Sequence, residues 1–384
     1  MATHCDIFCR IIDNYGDIGV CWRLARQLAG EFGVAVTLWV DDLDTFARIA
    51  PVDPTLPLQE LDGLVVRHWR DDMVAPAPAD IVIEGFGCAL PAGLHEAMAA
   101  RQPPPLWLNL EYLSAEDWVE DCHGLASPHP GSGLVQHFWF PGFTARSGGL
   151  LRERGLLEAR DRFQLDSEAH AAFWTRIGVP EALGISRRIS LFSYENPAIP
   201  GLLRALAQDQ PTLLLVPAGR ALGDVAHWAG RTSLAAGDRI HEGSLTIAVL
   251  PMLSAEDYDR LLWACSLNAV RGEDSFVRAQ WAGQPLLWHI YPQQEDAHLI
   301  KLEAFIHRAE QQVAMPAVWA EAMRAWNRGD AGPDTRAETS PDLWSALLAD
   351  LPALCPPSHA WTAWLASQKD LASGVMHFYG SRVE

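Results

Sequence analysis

The sequence has no paired cysteines, no excess of basic residues and no long apolar run, and each lack removes a class of protein. Its seven cysteines (Cys5, Cys9, Cys21, Cys88, Cys122, Cys265 and Cys355) are odd in number, scattered and never spaced C-x-x-C. That pattern fits reduced thiols rather than a disulfide scaffold or a zinc site. Lysine and arginine total 29 against 48 aspartates and glutamates, a formal charge of −19. Gripping a phosphate backbone or an anionic lipid needs a basic face, so no nucleic-acid partner and no membrane are expected. No apolar run approaches the ~20 residues of a bilayer crossing. The start, MATHCDIFCR, lacks a basic n-region and an apolar h-region, so no signal peptide is expected and the expected localisation is cytoplasmic.

The common phosphate signatures are also missing. Where a dinucleotide fold would show G-x-G-x-x-G, DNYGDIG has only Gly16 and Gly19, with acids where a pyrophosphate would sit. A G-x-x-x-x-G-K-[ST] loop is absent. D-x-D pairs occur at Asp42/Asp44 and Asp257/Asp259. The first reads as a solvated acidic loop; the second lies in a helical stretch, where residues two apart face different sides. No metal is expected.

What remains is alternation. DIFCRII (6–12), VAVTLWV (34–40), DIVIEGFG (80–87) and PLWLNLEY (105–112) read as strands, and VCWRLARQLAG has helical spacing with Gly30 as a stop. A second set follows Ser186: RISLFSYEN (188–196), PTLLLVPAG (211–219), LTIAVLPML (245–253), LNAV (267–270) and QPLLWHIYP (284–292). The class is α/β, with two Rossmann-like domains, 1–155 and 186–359, facing each other across a central cleft lined by loops at the strand carboxyl ends. Residues 126–155, dense in glycine, proline and aromatics, read as long loops, and 156–185 as a linker region. LPALCPPSHA is expected to break the chain before a last helix, within 360–384, that folds back across the first domain.

The chemistry concentrates in LNAVRGEDSFVRAQWAG (267–283). Ser275 or Asp274 suits the N-cap of the helix that follows the strand, and the next N–H groups form a site for an anion such as a diphosphate. Arg271 can add a bidentate grip, and Gly272 lets the backbone approach closely. Glu273 would be repelled by a diphosphate; it either faces something cationic or simply decorates the helix start. Asp13 and Asp17 lie in the first domain's leading loop. With Glu273 they could converge as three carboxylates for general-base work or for gripping a guanidinium; otherwise they are turn residues bonding their own backbone. Tyr194 and Tyr291 end strands where an aromatic can stack on a base, bond a phosphate or edge the core. His289 reads as packed and His298 as exposed.

IIDNYGDIGVCWRLARQLA, LNLEYLSAEDWVE, FWFPGFTARSGGLLRER and above all VRGEDSFVRAQWAGQPLLWHIYPQ resemble the bacterial protein-arginine rhamnosyltransferases that mature translation elongation factor P. The likeness covers nearly everything from Ile7 to His298. It implies a GT-B fold and metal-independent, inverting transfer of L-rhamnose from dTDP-β-L-rhamnose to an arginine of that factor, with no cofactor beyond the donor. It implies Asp17 as leading candidate for the base, Asp13 as its neighbour and Glu273 as the third carboxylate. Arg271, Gly272, Asp274 and Ser275 would hold the nucleotide and diphosphate. Asn14, Tyr15 and Gly16 would line the sugar side, with Tyr194 and Tyr291 on the nucleotide side. Where the family pattern has Phe and Gln, this chain has Met252 and Ala255, which leaves Tyr258 as a stacking partner for thymine. The alternatives are a GT-B enzyme with another nucleotide sugar or a small-molecule acceptor, or a non-catalytic binder.

Overall fold

A computed structural model describes residues 2–12, 15–70, 72–328 and 341–383. The chain divides into two compact units, residues 1–154 with 365–384, and 155–364. Among the described residues no helix is long and apolar enough to cross a membrane, and no cysteine is bridged.

The first unit contains β1 (His4–Cys9), α1 (Gly16–Phe32), β2 (Ala35–Val40), α2 (Leu43–Phe46), β3 (Leu58–Leu61), β4 (Leu64–His68), β5 (Ile81–Gly85), α3 (Leu94–Ala100), β6 (Leu106–Leu110), α4 (Trp118–Cys122), β7 (Ala126–Pro128) and β8 (Val135–Trp139). Its sheet runs β3-β4-β2-β1-β5-β6-β8-β7. Every residue of β5 and β6 is buried, as parallel strands covered on both faces require. Helix α1 runs past Gly30 and stops at Gly33, whose φ of +65° lets its N–H and that of Val34 reach back to Ala29 and Leu28. Three stretches differ from the sequence reading. LQELDGLVVRH forms the β3–β4 hairpin, turned at Asp62 and Gly63, both with positive φ. VQHFW, expected within a long loop, is β8 and pairs in parallel with β6; its glycine-rich surroundings hid a five-residue strand. Asp42, read only as part of a solvated acidic loop, also caps α2, accepting from the Thr45 N–H at 2.9 Å.

The second unit contains α5 (Leu156–Leu165), α6 (Ser167–Arg176), β9 (Arg187–Leu191), α7 (Ile199–Gln208), β10 (Thr212–Pro217), α8 (Leu222–Trp228), β11 (Arg239–Glu242), β12 (Leu245–Leu250), α9 (Ala255–Ala264), β13 (Leu267–Arg271), α10 (Asp274–Ala282), β14 (Leu286–His289), α11 (Ala297–Gln312), α12 (Ala317–Asn327) and α13 (Pro341–Ala366). Its sheet runs β11-β12-β10-β9-β13-β14. Residues 156–185, expected as a linker, are largely helical; α5 and α6 pack on α9, with Phe163 against Trp263 at 5.9 Å, and Phe173 and Trp174 are buried behind it. The expected break at LPALCPPSHA is also absent: α13 continues through Pro352, Pro356 and Pro357. Three backbone donors are lost there. Burial of Leu347, Leu348, Leu351, Leu354 and Trp361 holds the helix together against that loss.

A last helix, α14 (Leu371–Val383), packs on α1 in the first unit. Gln27 of α1 donates to the Arg152 carbonyl at 2.7 Å and to Asp370 at 3.0 Å, joining the two segments where the chain enters and leaves that unit. Gly149 has φ +78°, and a Cβ there would lie 2.1 Å from the Lys369 carbonyl oxygen. Gly149→Ala is therefore expected to destabilise the first unit by about 2–3 kcal/mol through backbone strain and loss of this close approach. Urea unfolding checks it; an unchanged midpoint would mean the Lys369 segment moves aside freely.

Candidate active site

In doubly wound sheets ligands bind beyond the carboxyl ends of the strands, where the winding reverses. In the second unit that point lies between β9 and β13. It brings together the residues after β9 (Phe192, Ser193, Tyr194) and the turn after β13 (Arg271 to Ser275). Arg271 is buried at the strand end, its guanidinium 4.5 Å from the centre of the Phe192 ring and 4.9 Å from that of Tyr194. Such stacking orients the guanidinium against two ring faces. Gly272 takes φ +57°; its N–H donates to the His289 carbonyl at 3.1 Å, and its carbonyl accepts from the Trp288 indole at 2.7 Å. The turn is thus anchored on the neighbouring strand β14 and leads into the start of α10, where the first N–H groups of a helix have no partner within the helix itself.

The roles within the turn differ from the sequence reading. The N-cap is Glu273, and its side chain makes no capping bond. The Ser275 hydroxyl instead accepts from the Arg271 N–H at 3.0 Å and donates back to the Arg271 carbonyl, so it clamps the turn. The Asp274 carboxylate accepts from Arg278 Nε at 2.8 Å, and Arg278 also binds Asp259 at 2.9 Å. One helical turn separates Asp274 from Arg278, which places them side by side, and the pair is drawn inward. The pair Asp257 and Asp259 diverges: Asp257 meets Arg176 and Arg260, and Asp259 meets Arg278.

Tyr194 is only 4% exposed, edge-on to both His289 and Tyr291, and Tyr291 is 41% exposed. Tyr194 therefore supports Arg271, while Tyr291 reaches solvent. Tyr258 packs edge-on against Phe192 at 5.6 Å, and burial pushes its phenol pKa far up. His298, expected to be exposed, is 5% exposed and accepts from the Gln293 N–H at 3.2 Å.

His289 shares a 2.8 Å hydrogen bond with the Ser193 hydroxyl, and burial, with His298 and Arg271 nearby, lowers its pKa to about 4. The unfolded chain takes up this proton near pH 6.5, whereas the folded chain resists it. Its contribution to stability is thus complete above pH 6.5 and lost as pH falls towards 4, about 3 kcal/mol in all. Denaturant titrations at pH 7 and 4.5 are expected to show this slope, and His289→Asn is expected to flatten it.

In the first unit the winding reverses between β1 and β5. Asp13 and Asn14 lie outside the described residues. Tyr15 is the N-cap of α1, hydrogen-bonded through its side chain to Arg48, and Gly16 begins the helix. Asp17 is 2% exposed and accepts from the Ile12 N–H at 2.8 Å across the loop. Of the donor-side candidates, Tyr15 and Gly16 therefore belong to this unit and the Tyr194, Tyr258, Arg271–Ser275 and Tyr291 group to the other. Sequence reasoning missed Phe192, Ser193 and Trp288, because neighbours across a sheet carry no mark in linear spacing. The one legible signal was the aromatic at the end of RISLF.

Residues 5–380 match the family described as Elongation-Factor P (EF-P) rhamnosyltransferase EarP. The chain is 52% identical to a protein-arginine rhamnosyltransferase of Pseudomonas putida over 388 residues, covering 99% of each chain. It is 52% identical to one of Pseudomonas aeruginosa, covering 97% of this chain and 98% of that relative. A solved structure described as the structural basis for EarP-mediated arginine glycosylation of translation elongation factor EF-P matches with a TM-score of 0.68 and 38% identity, over 98% of this chain and 99% of that one. A glycosyltransferase from Rickettsia africae, 9% identical over 100% of this chain and 99% of that one, shares the fold with a TM-score of 0.51. An α/β chain of two Rossmann-like units, matched from end to end in this way, belongs to the EarP family of elongation factor P rhamnosyltransferases and is a glycosyltransferase of the GT-B class.

Proposed function

We propose that this chain transfers L-rhamnose from dTDP-β-L-rhamnose to an arginine side chain of translation elongation factor P, with inversion and without a metal or other cofactor. The observation that carries the donor half is Arg271, stacked on Phe192 and Tyr194 beside the start of α10. A buried guanidinium held over two ring faces next to a helix N-terminus suits a departing diphosphate. Nearby, Asp257 is bound by Arg176 and Arg260, and Asp259 and Asp274 share Arg278, so these acids are taken up by arginines rather than facing the diphosphate.

In the acceptor half, a guanidinium with a pKa above ~12 is a poor nucleophile until one nitrogen is fixed and relieved of its proton. Asp17 accepts that proton as the C–N bond forms at the anomeric carbon. The bond to the β-phosphate oxygen breaks on the opposite face, and its electrons leave with dTDP, whose charge Arg271 and the N–H groups at the start of α10 receive. Asp13 supports Asp17, and Glu273 completes the carboxylate set; Asn14, Tyr15 and Gly16 line the sugar side, with Tyr258 and Tyr291 toward the base.

Incubation of the chain with elongation factor P and dTDP-rhamnose, against UDP- and GDP-sugars, tests this by mass spectrometry. A gain of one deoxyhexose on an arginine, only with dTDP-rhamnose, is expected, undiminished in excess chelator. Transfer from another nucleotide sugar, or to a small molecule alone, would favour the other GT-B reading. Strict dependence on added divalent metal would overturn the metal-free scheme.

A further inference from the structure

The loop after β5 in the first unit carries a bulky residue in an unfavourable backbone conformation. Phe86 has φ +56°, and Gly87 and Ala89 follow with +64° and +55°. A left-handed phenylalanine is an outlier that persists only where its surroundings over-determine it, and such outliers gather at ligand sites. Those surroundings are visible. The Phe86 N–H donates to the Leu110 carbonyl at 2.7 Å, the Gly87 N–H to Asn109 Oδ1 at 3.1 Å, and the Ala89 N–H to Glu84 Oε1 at 3.1 Å. Gln136 in turn holds the other Glu84 oxygen at 2.8 Å.

The result is a presented ring. Phe86 stacks on Tyr112 with centroids 4.5 Å apart and planes 21° from parallel, both rings half-buried. In the residue before Tyr112, Glu111 Oε1 accepts from Asn109 at 2.8 Å, which orients that carboxylate. Strand register fixes the location. Phe8 pairs with Glu84, so β5 runs into the Phe86 loop at the level where β1 ends at Cys9 and the chain leaves for the loop to Asp17. Gly85 pairs with Leu110, so Phe86 also stands beside Glu111. A Cβ on Gly85 would lie 2.8 Å from the Phe8 carbonyl, so β5 approaches β1 closely just before the loop turns out. The strained ring therefore sits at the reversal of the winding.

We propose that the stacked pair Phe86–Tyr112, with the Glu111 carboxylate beside it, is the platform that receives the guanidinium of the acceptor arginine. A flat, delocalised, weakly hydrated cation stacks on aromatic rings and forks onto a carboxylate, and an ammonium does this less well. The inference rests on the reading of the acceptor as a protein arginine, and it adds the side chains that select that residue. A glycine would avoid the backbone strain that phenylalanine carries here.

The test uses Phe86→Gly, which removes the ring and relieves the backbone, and Phe86→Leu, which keeps bulk without a π face. With elongation factor P as acceptor, each is expected to raise the acceptor KM about tenfold while the dTDP-rhamnose KM stays within twofold. Binding is then measured with an acceptor whose modified arginine is replaced by lysine. The unaltered enzyme should bind it about tenfold more weakly than the arginine form, and Phe86→Gly should no longer distinguish the two. An unchanged acceptor KM, or discrimination that survives the loss of the ring, would overturn the platform while leaving arginine transfer intact. Failure of the unaltered enzyme to glycosylate arginine would instead overturn the proposed function, and this inference with it.

Discussion

Asp17→Asn is expected to lower turnover by about a thousandfold while leaving dTDP affinity within a factor of two. The substitution is clean for a structural reason. The Asp17 oxygen that accepts the Ile12 N–H at 2.8 Å has a counterpart in the asparagine amide oxygen, so the loop keeps its closure. What is lost is the ability to take a proton, and with it the negative charge that the proposed mechanism sets against a guanidinium. A side chain only 2% exposed tolerates no larger change, so Asp17→Ala would confound loss of chemistry with loss of the loop. Single-turnover rates with saturating donor, together with calorimetric titration of dTDP, separate the two. A near-normal rate in Asp17→Asn would remove this carboxylate from the base role and pass it to Asp13 or Glu273.

The second large effect belongs to Arg271. Arg271→Ala is expected to weaken dTDP binding by about a hundredfold and to lower kcat as well, because in the proposed mechanism the same cation meets the leaving group as its charge develops. Arg271→Lys keeps the charge but loses the planar fork and the stacking on Phe192 and Tyr194, and should recover only part of the loss. Since the group is buried, the effect should vary little with salt, unlike that of a surface cation. Equilibrium binding of dTDP at low and high ionic strength measures both points. Affinity within threefold of normal in Arg271→Ala would place the diphosphate elsewhere.

The turn after β13 shows how far linear reading reaches. RGEDS announces a strand end, a glycine turn and an acidic helix start, and those features are in place. The division of labour among its side chains is not in the string. Asp274 could cap, ligate or pair; it pairs because Arg278 lies one turn along α10 and Asp259 reaches the same guanidinium from α9. Ser275 could cap or touch a ligand; it clamps Arg271 because its hydroxyl faces the strand end. Prolines read as a break in α13 because their local cost is plain, while the burial that outweighs it comes from distant residues.

The sequence by itself determined the α/β class, the two successive sets of strands and the stretches that carry chemistry, because apolar periodicity and turn residues act within a few positions of one another. Only the tertiary structure decided that Phe192 lies under Arg271 and that Phe86 is held left-handed against Tyr112. Those outcomes depend on strand register and sheet order, which bring together residues about 20 to 100 positions apart through burial and hydrogen bonding that no local pattern encodes.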